Sequence, residues 1–299
     1  MTQESQKAAL KGAMAASMYH STKSLTFDGI SDWAANFNLF GISTFPIRKY
    51  NISSVSMWVK STKNSANPQQ TIVGRWFPTY GGGLAVNEGG WRWFLSDLGT
   101  GNRQLHFHLC THFLNGLWIT STDEFPLNEW VHVTMTYDGT GGSGAGLKMY
   151  WDGVEVSTNV IYTNWTSSAV NSNAYSHLLW GCQYTAWPPG SPPHSWPPVL
   201  TYWFEGGINE ACFWRHELDA DEVLALYNNG YPESPCHVAL PDGHIERYFR
   251  MGEWTDGTPW ISGYSISWNR HAYGGTNTNM FWNNDGAIPP LRVVEDVAP

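Results

Sequence analysis

Charge is what this sequence has least of. Asp, Glu, Lys and Arg together make up only 14% of its 299 residues. No run of lysine or arginine occurs and the net charge is −9, which excludes a surface built to grip a nucleic-acid backbone. Metal- and disulfide-type cysteine patterns are missing too. Cys110, Cys182, Cys212 and Cys236 stand too far apart for a CxxC pair or a small disulfide framework, and read as isolated buried thiols. No apolar stretch approaches the ~20 residues that span a bilayer. GxSxG, HExxH and P-loop patterns do not occur. Between Val156 and Phe204 there is not one Asp or Glu.

Aromatic residues are abundant instead: 18 Trp, 14 Tyr and 13 Phe. That load exceeds what a core alone usually needs, and implies aromatic loops, interfaces or ligand platforms.

Apolar residues mostly alternate, which is the strand period. Val55, Met57 and Val59 oppose Ser56, Trp58 and Lys60. Leu105, Phe107 and Leu109 oppose His106, His108 and Cys110, and Val131, Val133, Met135 and Tyr137 share one side. Leu147 to Trp151 runs into Asp152-Gly153 and on to Val156, a hairpin signal. Many short strands with turn residues between them predict an antiparallel sandwich.

One helix is signalled at both ends, after a strand within Thr201–Trp214. Asp219 is placed to cap it, Glu222 completes a capping box, and Leu218 and Val223 form a staple. Val223, Leu226 and Tyr227 share a face, and Gly230 suits a left-handed C-terminal cap. The helix is expected to close the domain after its last core strand. Residues 1–22 are alanine-rich, with Leu10, Met14 and Met18 four apart, and read as a helical arm docked on its own domain or a neighbour. Ala13-Met14-Ala15 has the form of a cleavage site, but no leucine-rich stretch precedes it, so a signal peptide is not expected.

The order of FDG, SVSMWVK, NEWVHVTMTYDG, LKMYWDGVEV and FEGGINEACFWRHELDADEVLALYNNG resembles the laminin-G-like members of the concanavalin A-like lectin/glucanase superfamily. The resemblance runs from Lys23 to Tyr231. It implies an all-β, two-sheet antiparallel jelly-roll sandwich with one short C-terminal helix, which meets ligands at its concave face or rim loops. The chain departs from the family in the arm, in the insert Thr185–Pro198 (TAWPPGSPPHSWPP) and in the tail 232–299. Within the tail, His244–Asp256 (HIERYFRMGEWTD) resembles the lead-in strand that often precedes such domains, and the remainder is expected to be an aromatic, irregular extension packed on the domain or a neighbour.

Three kinds of site follow. For stacking on sugar rings or gripping a partner, the candidates are Trp76, Tyr80, Trp91, Trp93, Trp118, Trp187, His194 and Trp196. Calcium is common in the superfamily, and the resemblance carries it to Asp28 and Asp32 after the first strand, with Asp97 from another loop. His106 and His108, two apart on one strand face, are a candidate transition-metal pair, with Cys110 and His112 in the same row. The glucanase branch uses an E-x-D-x-E run, which is absent. Glu205 and Glu210 are the available carboxylates, five apart on opposite faces of a strand with Gly206-Gly207 between them, and a bulge could change their phase.

The leading expectation is a non-enzymatic assembly module, because laminin-G-like domains without signal peptides are frequent among phage and other viral structural proteins. Its partners would be other virion proteins or copies of itself, on a virion surface, decoration or fibre. The alternative is an extracellular lectin that binds glycans. A glycoside hydrolase is the second alternative.

Overall fold

The computed structural model describes residues 24–36, 53–64, 69–77, 89–97, 99, 101–112, 115–140, 146–163, 178–186, 199–231, 245–249, 280–283 and 292–294. The arm 1–22 lies outside these residues, as do Tyr80, Trp187, His194 and Trp196.

The alternating segments pair into two antiparallel sheets. The first runs β10 (Val154–Glu155), β9 (Leu147–Trp151), β8 (Trp130–Tyr137), β3 (Ser53–Ser61), β15 (Glu205–Trp214), β1 (Ser24–Asp28) and β18 (Arg292–Val294). Strand β16 (Ile245–Phe249) pairs with the second half of β15, and β1 with its first half. The second sheet runs β11 (Thr158–Thr163), β7 (Asn115–Ser121), β6 (Gln104–His112), β5 (Gly89–Ser96), β4 (Gln70–Phe77), β12 (Leu178–Trp180), β2 (Trp33–Asn36) and β17 (Met280–Asn283). A separate pair, β13 (Gln183–Ala186) and β14 (Val199–Thr201), brackets most of the Trp-Pro insert.

Inward residues of both sheets meet in one core. It contains Val55, Met57, Val59, Trp91, Trp93, Phe107, Val133, Trp180, Phe204, Ile208 and Phe213, all buried. Core residues Ile208 and Ala211 are three apart because the register of β15 against β3 shifts between Asn209 and Cys212. A bulge adds one residue there, and Glu210 takes a left-handed φ of 46°. The phase change thus falls on Asn209 and Glu210, after the glycine pair.

The outer face of the first sheet is covered by helix α1 (Ala220–Tyr227). Val223, Leu226 and Leu218 pack on Tyr150, Cys212 and Trp214. The hydroxyl of Ser54 donates to the carbonyl of His216 (2.7 Å) and accepts the N–H of Leu218 (2.9 Å), which ties the helix lead-in to β3. The capping box forms as read: Asp219 Oδ1 accepts the N–H of Glu222 and Glu222 Oε2 accepts that of Asp219. At the other end the first left-handed residue is Asn228, not Gly230. Asparagine tolerates this conformation and ends the helix two residues early. The Asp152-Gly153 turn has φ of 50° and 81°, positive at both central positions as a type I′ hairpin requires. A side chain at Gly153 would also strike Leu224 of the helix.

The helix does not close the domain. The segment beyond Tyr231 supplies β16 and β18 to the first sheet and β17 to the second; β16 falls within His244–Asp256, where a strand is expected, whereas β17 and β18 fall where irregular structure is expected from composition. The short apolar runs of β17 and β18 are too brief to register as strands by periodicity, and only pairing at a sheet edge organises them. Among the described residues, no helix is long and apolar enough to cross a membrane.

Two outcomes test this architecture by urea denaturation. Asp219→Ala removes half of the capping box and is expected to cost about 1 kcal/mol. Trp91→Ala empties a core position and is expected to cost about 3–5 kcal/mol.

Candidate functional site

The helix packs on the outward residues Trp58, His132, Tyr150, Cys212 and Trp214 of the first sheet, and the outer face of the second sheet carries a separate cluster of rings and imidazoles. Strand parity settles which residues reach it. Trp91, Trp93 and Leu95 point inward with Leu105, Phe107 and Leu109. Trp91 and Trp93 are therefore core residues, 2% and 0% exposed, and cannot serve as sugar platforms. The parity of Leu95 in WRWFL carried that signal. Arg92 and Phe94 face outward instead, and sequence reading passed over both.

The register lines these residues up across four strands. One rung reads Gly74–Arg92–His108–Trp118, and the next reads Thr71–Phe94–His106–Thr120. Trp76 stands one pair further along β4, opposite Gly90, and its ring centroid is 4.9 Å from that of His108. Of the eight aromatic and histidine candidates, Trp76 and Trp118 are thus brought together on this face.

Trp118 is held from two sides. Its indole N–H donates to Nδ1 of His106 (3.2 Å), and its ring stacks on His108 at 5.1 Å and 18°. His106 lies flat on Phe94, 4.8 Å away at 10°. Trp118 is half-buried, whereas Trp76, Phe94, His106 and His108 are buried. The guanidinium of Arg92 lies 4.5 Å from the Trp76 ring centroid and 4.3 Å from that of Phe94, within cation–π range.

The histidines are not poised as metal ligands. Nε2 of His106 faces the carbonyl of Ser96 at 3.1 Å and so carries the proton, while Nδ1 accepts from Trp118. Both nitrogens are engaged. Burial pushes the His106 pKa down to about 4, against the pull of the Ser96 carbonyl and with help from the Arg92 charge. Burial, then Arg92, then His106 hold His108 well below the usual value. The engaged nitrogens of His106 and the fixed Arg92 cation beside both rings disfavour a metal ion here.

The calcium reading fares no better. Asp28 Oδ1 accepts the N–H groups of Ile30, Ser31 and Asp32 at 2.8, 2.8 and 3.0 Å, and Asp32 Oδ2 accepts the N–H of Asp28. Burial raises the Asp28 pKa, but these backbone bonds outweigh it and leave the group below its ordinary value. Asp97 Oδ1 accepts the N–H of Gly99 in its own turn. Among the described residues, no three of His, Cys, Asp or Glu converge to hold a metal ion. The carboxylates of Asp28, Asp32 and Asp97 serve their loops, and calcium does not fit them.

Together these observations define a two-sheet, helix-backed antiparallel sandwich with a cluster of rings and imidazoles on the outer face of its second sheet. The chain belongs to the concanavalin A-like lectin/glucanases superfamily, whose laminin G sequence profile matches residues 41–224. Among solved structures it is similar to a Bacteroides ovatus protein described as a candidate carbohydrate binding protein. That match has 17% identity and a TM-score of 0.52, and covers 88% of this chain and 58% of the other. The chain therefore spans little more than half the length of that protein. It is also similar to a heptameric SAP-like pentraxin from Limulus polyphemus (14% identity, TM-score 0.43, 77% and 92% covered). A third is the CBM40 of a Ruminococcus gnavus sialidase, solved with sialyllactose (13%, 0.45, 70% and 100%). No curated protein sequence matches the chain.

The histidines give this site a pH signature. The folded pKa of His106 lies below the unfolded value of about 6.5. The unfolded chain then binds the proton first, and stability falls as pH drops from about 6.5 to about 4. His106→Gln is expected to flatten the slope of stability against pH in that window by up to one proton, read from urea midpoints measured across it.

Proposed function

We propose that the protein is a non-enzymatic carbohydrate-binding module whose ligand sits on the outer face of the second sheet, against Trp118. The observation that carries this reading is the preset indole. Its N–H is fixed by His106, its ring stacks on His108, and the residue as a whole is half-buried. An immobilised aromatic platform loses little entropy when a sugar ring stacks on it. The Bacteroides protein of similar fold, itself described as a candidate carbohydrate binder, supports the same reading. These comparisons favour a glycan-binding role over the virion-assembly role, for which neither the fold nor the named neighbours argue.

The glycosidase alternative is weaker on geometry. Glu205 Oε1 accepts from Thr62 at the start of β15, whereas Glu210 is buried at the bulge. Five residues of strand separate their backbones by about 15 Å, beyond the ~5–9.5 Å between the carboxyls of a catalytic pair.

The test is a printed array of neutral and acidic oligosaccharides. The wild-type protein is expected to bind at least one class, and Trp118→Ala to weaken that binding at least about tenfold with the fold retained by circular dichroism. Undiminished binding by Trp118→Ala would refute the site.

A further inference from the structure

Arg92 belongs to the same face but is only 8% exposed, too enclosed to serve as a ligand's main contact. Its bonds point elsewhere. Nη1 donates to Oε1 of Gln183 at 2.6 Å and to Oε1 of Gln69 at 3.3 Å. Gln183 Oε1 also accepts from the hydroxyl of Thr71 at 3.3 Å. Gln183 is the first residue of β13, so the bond anchors the root of the β13–β14 hairpin. Gln69 lies just before β4, in the connection from β3. One guanidinium thus ties two separate segments to the floor of the second sheet.

The local sequence makes room for this. Gly74 is the cross-strand partner of Arg92, and a Cβ there would lie 2.9 Å from Arg92 Cβ. The Trp76 and Phe94 rings then flank the guanidinium and fix its plane. A lysine would keep the charge but lose the planar stack and the fork of donors. Along the rung, Arg92 and Trp118 are two strands apart, roughly 10 Å. The hairpin root and the indole platform therefore bound the two ends of one face.

We infer that Arg92 is the positioning residue of this face: through Gln183 it fixes the β13–β14 hairpin against the second sheet, and so sets affinity for an oligosaccharide that reaches from Trp118 to the hairpin. The inference rests on the carbohydrate-binding reading for its ligand, and on Arg92 and Gln183 alone for its geometry.

Two measurements on the full chain test it, with Arg92→Lys, Gln183→Leu, the double variant and Gln183→Glu. In calorimetric titration with the tightest-binding array oligosaccharide, each of the first two is expected to lose about tenfold in affinity. The double variant should lose no more than the worse single one, because both break the same contact. Gln183→Glu keeps an acceptor for the guanidinium and should retain binding. In hydrogen exchange, residues 183–186 and 199–201 should exchange faster in both single variants while β6 and β8 stay protected. Additive losses, or hairpin exchange unchanged by either single variant, would overturn the inference. Gln183→Leu leaves Arg92 in place, so a folding defect of Arg92→Lys does not decide the matter. A wild-type protein that binds nothing on the array refutes the carbohydrate reading instead, and hairpin exchange then judges the Arg92–Gln183 tie by itself.

Discussion

The packing of large rings between the two sheets is the constraint on which the rest depends. Trp91 and Trp93 from β5 meet Phe107 from β6, one nearly parallel and the other edge-on. Trp180, Phe213 and Phe249 form a triangle of edge contacts, with centroids 5.3 to 6.1 Å apart. Phe249 belongs to β16, beyond the helix, so the core is complete only when the C-terminal segment has joined the first sheet. A truncated aromatic core position costs about 3–5 kcal/mol, and a domain's whole net stability is about 5–15 kcal/mol. Two or three of these rings therefore decide whether the sandwich stands.

Because strands alternate, filling the core also fixes what the outer faces display. Each inward tryptophan on β5 sets an outward Arg92 or Phe94 beside it. The two outer faces then diverge. On the first sheet, small polar residues such as Ser54 and Ser56 leave room for a helix, and Trp58 and His132 pack near Tyr227. On the second sheet, rings, imidazoles and one guanidinium stack on each other. Burial keeps both histidines neutral next to the Arg92 cation, so the described face works through hydrogen bonds and stacking around that guanidinium.

The strands around Val55, Leu105 and Val131, the Asp152-Gly153 hairpin and the capping box at Asp219 were all legible in the sequence. So was the superfamily, from the order of its motifs. Each depends on residues close in the chain, where periodicity, turn chemistry and capping act without help from the rest of the fold. A bulge was anticipated as what could change the phase of Glu205 and Glu210, but its position at Asn209 and Glu210 was not. Any residue of a β-strand can be the extra one, and pairing with β3 and β1 selects it.

The sequence by itself determined a β-sandwich with one capped helix, because alternation and end signals are local. Only the tertiary structure decided which tryptophans are platform and which are core. Trp91, Trp93 and Trp118 look alike in composition, and their roles part only when strand pairing gives each face a direction. The tertiary structure likewise removed Asp28 and His106 from metal chemistry, since their hydrogen-bond partners are assembled by the folded turn and the folded sheet. Arg92 and Gln183, ninety-one positions apart, have no local signal at all. Their contact exists because antiparallel pairing brings β4 and β5 beneath a hairpin that begins almost a hundred residues later.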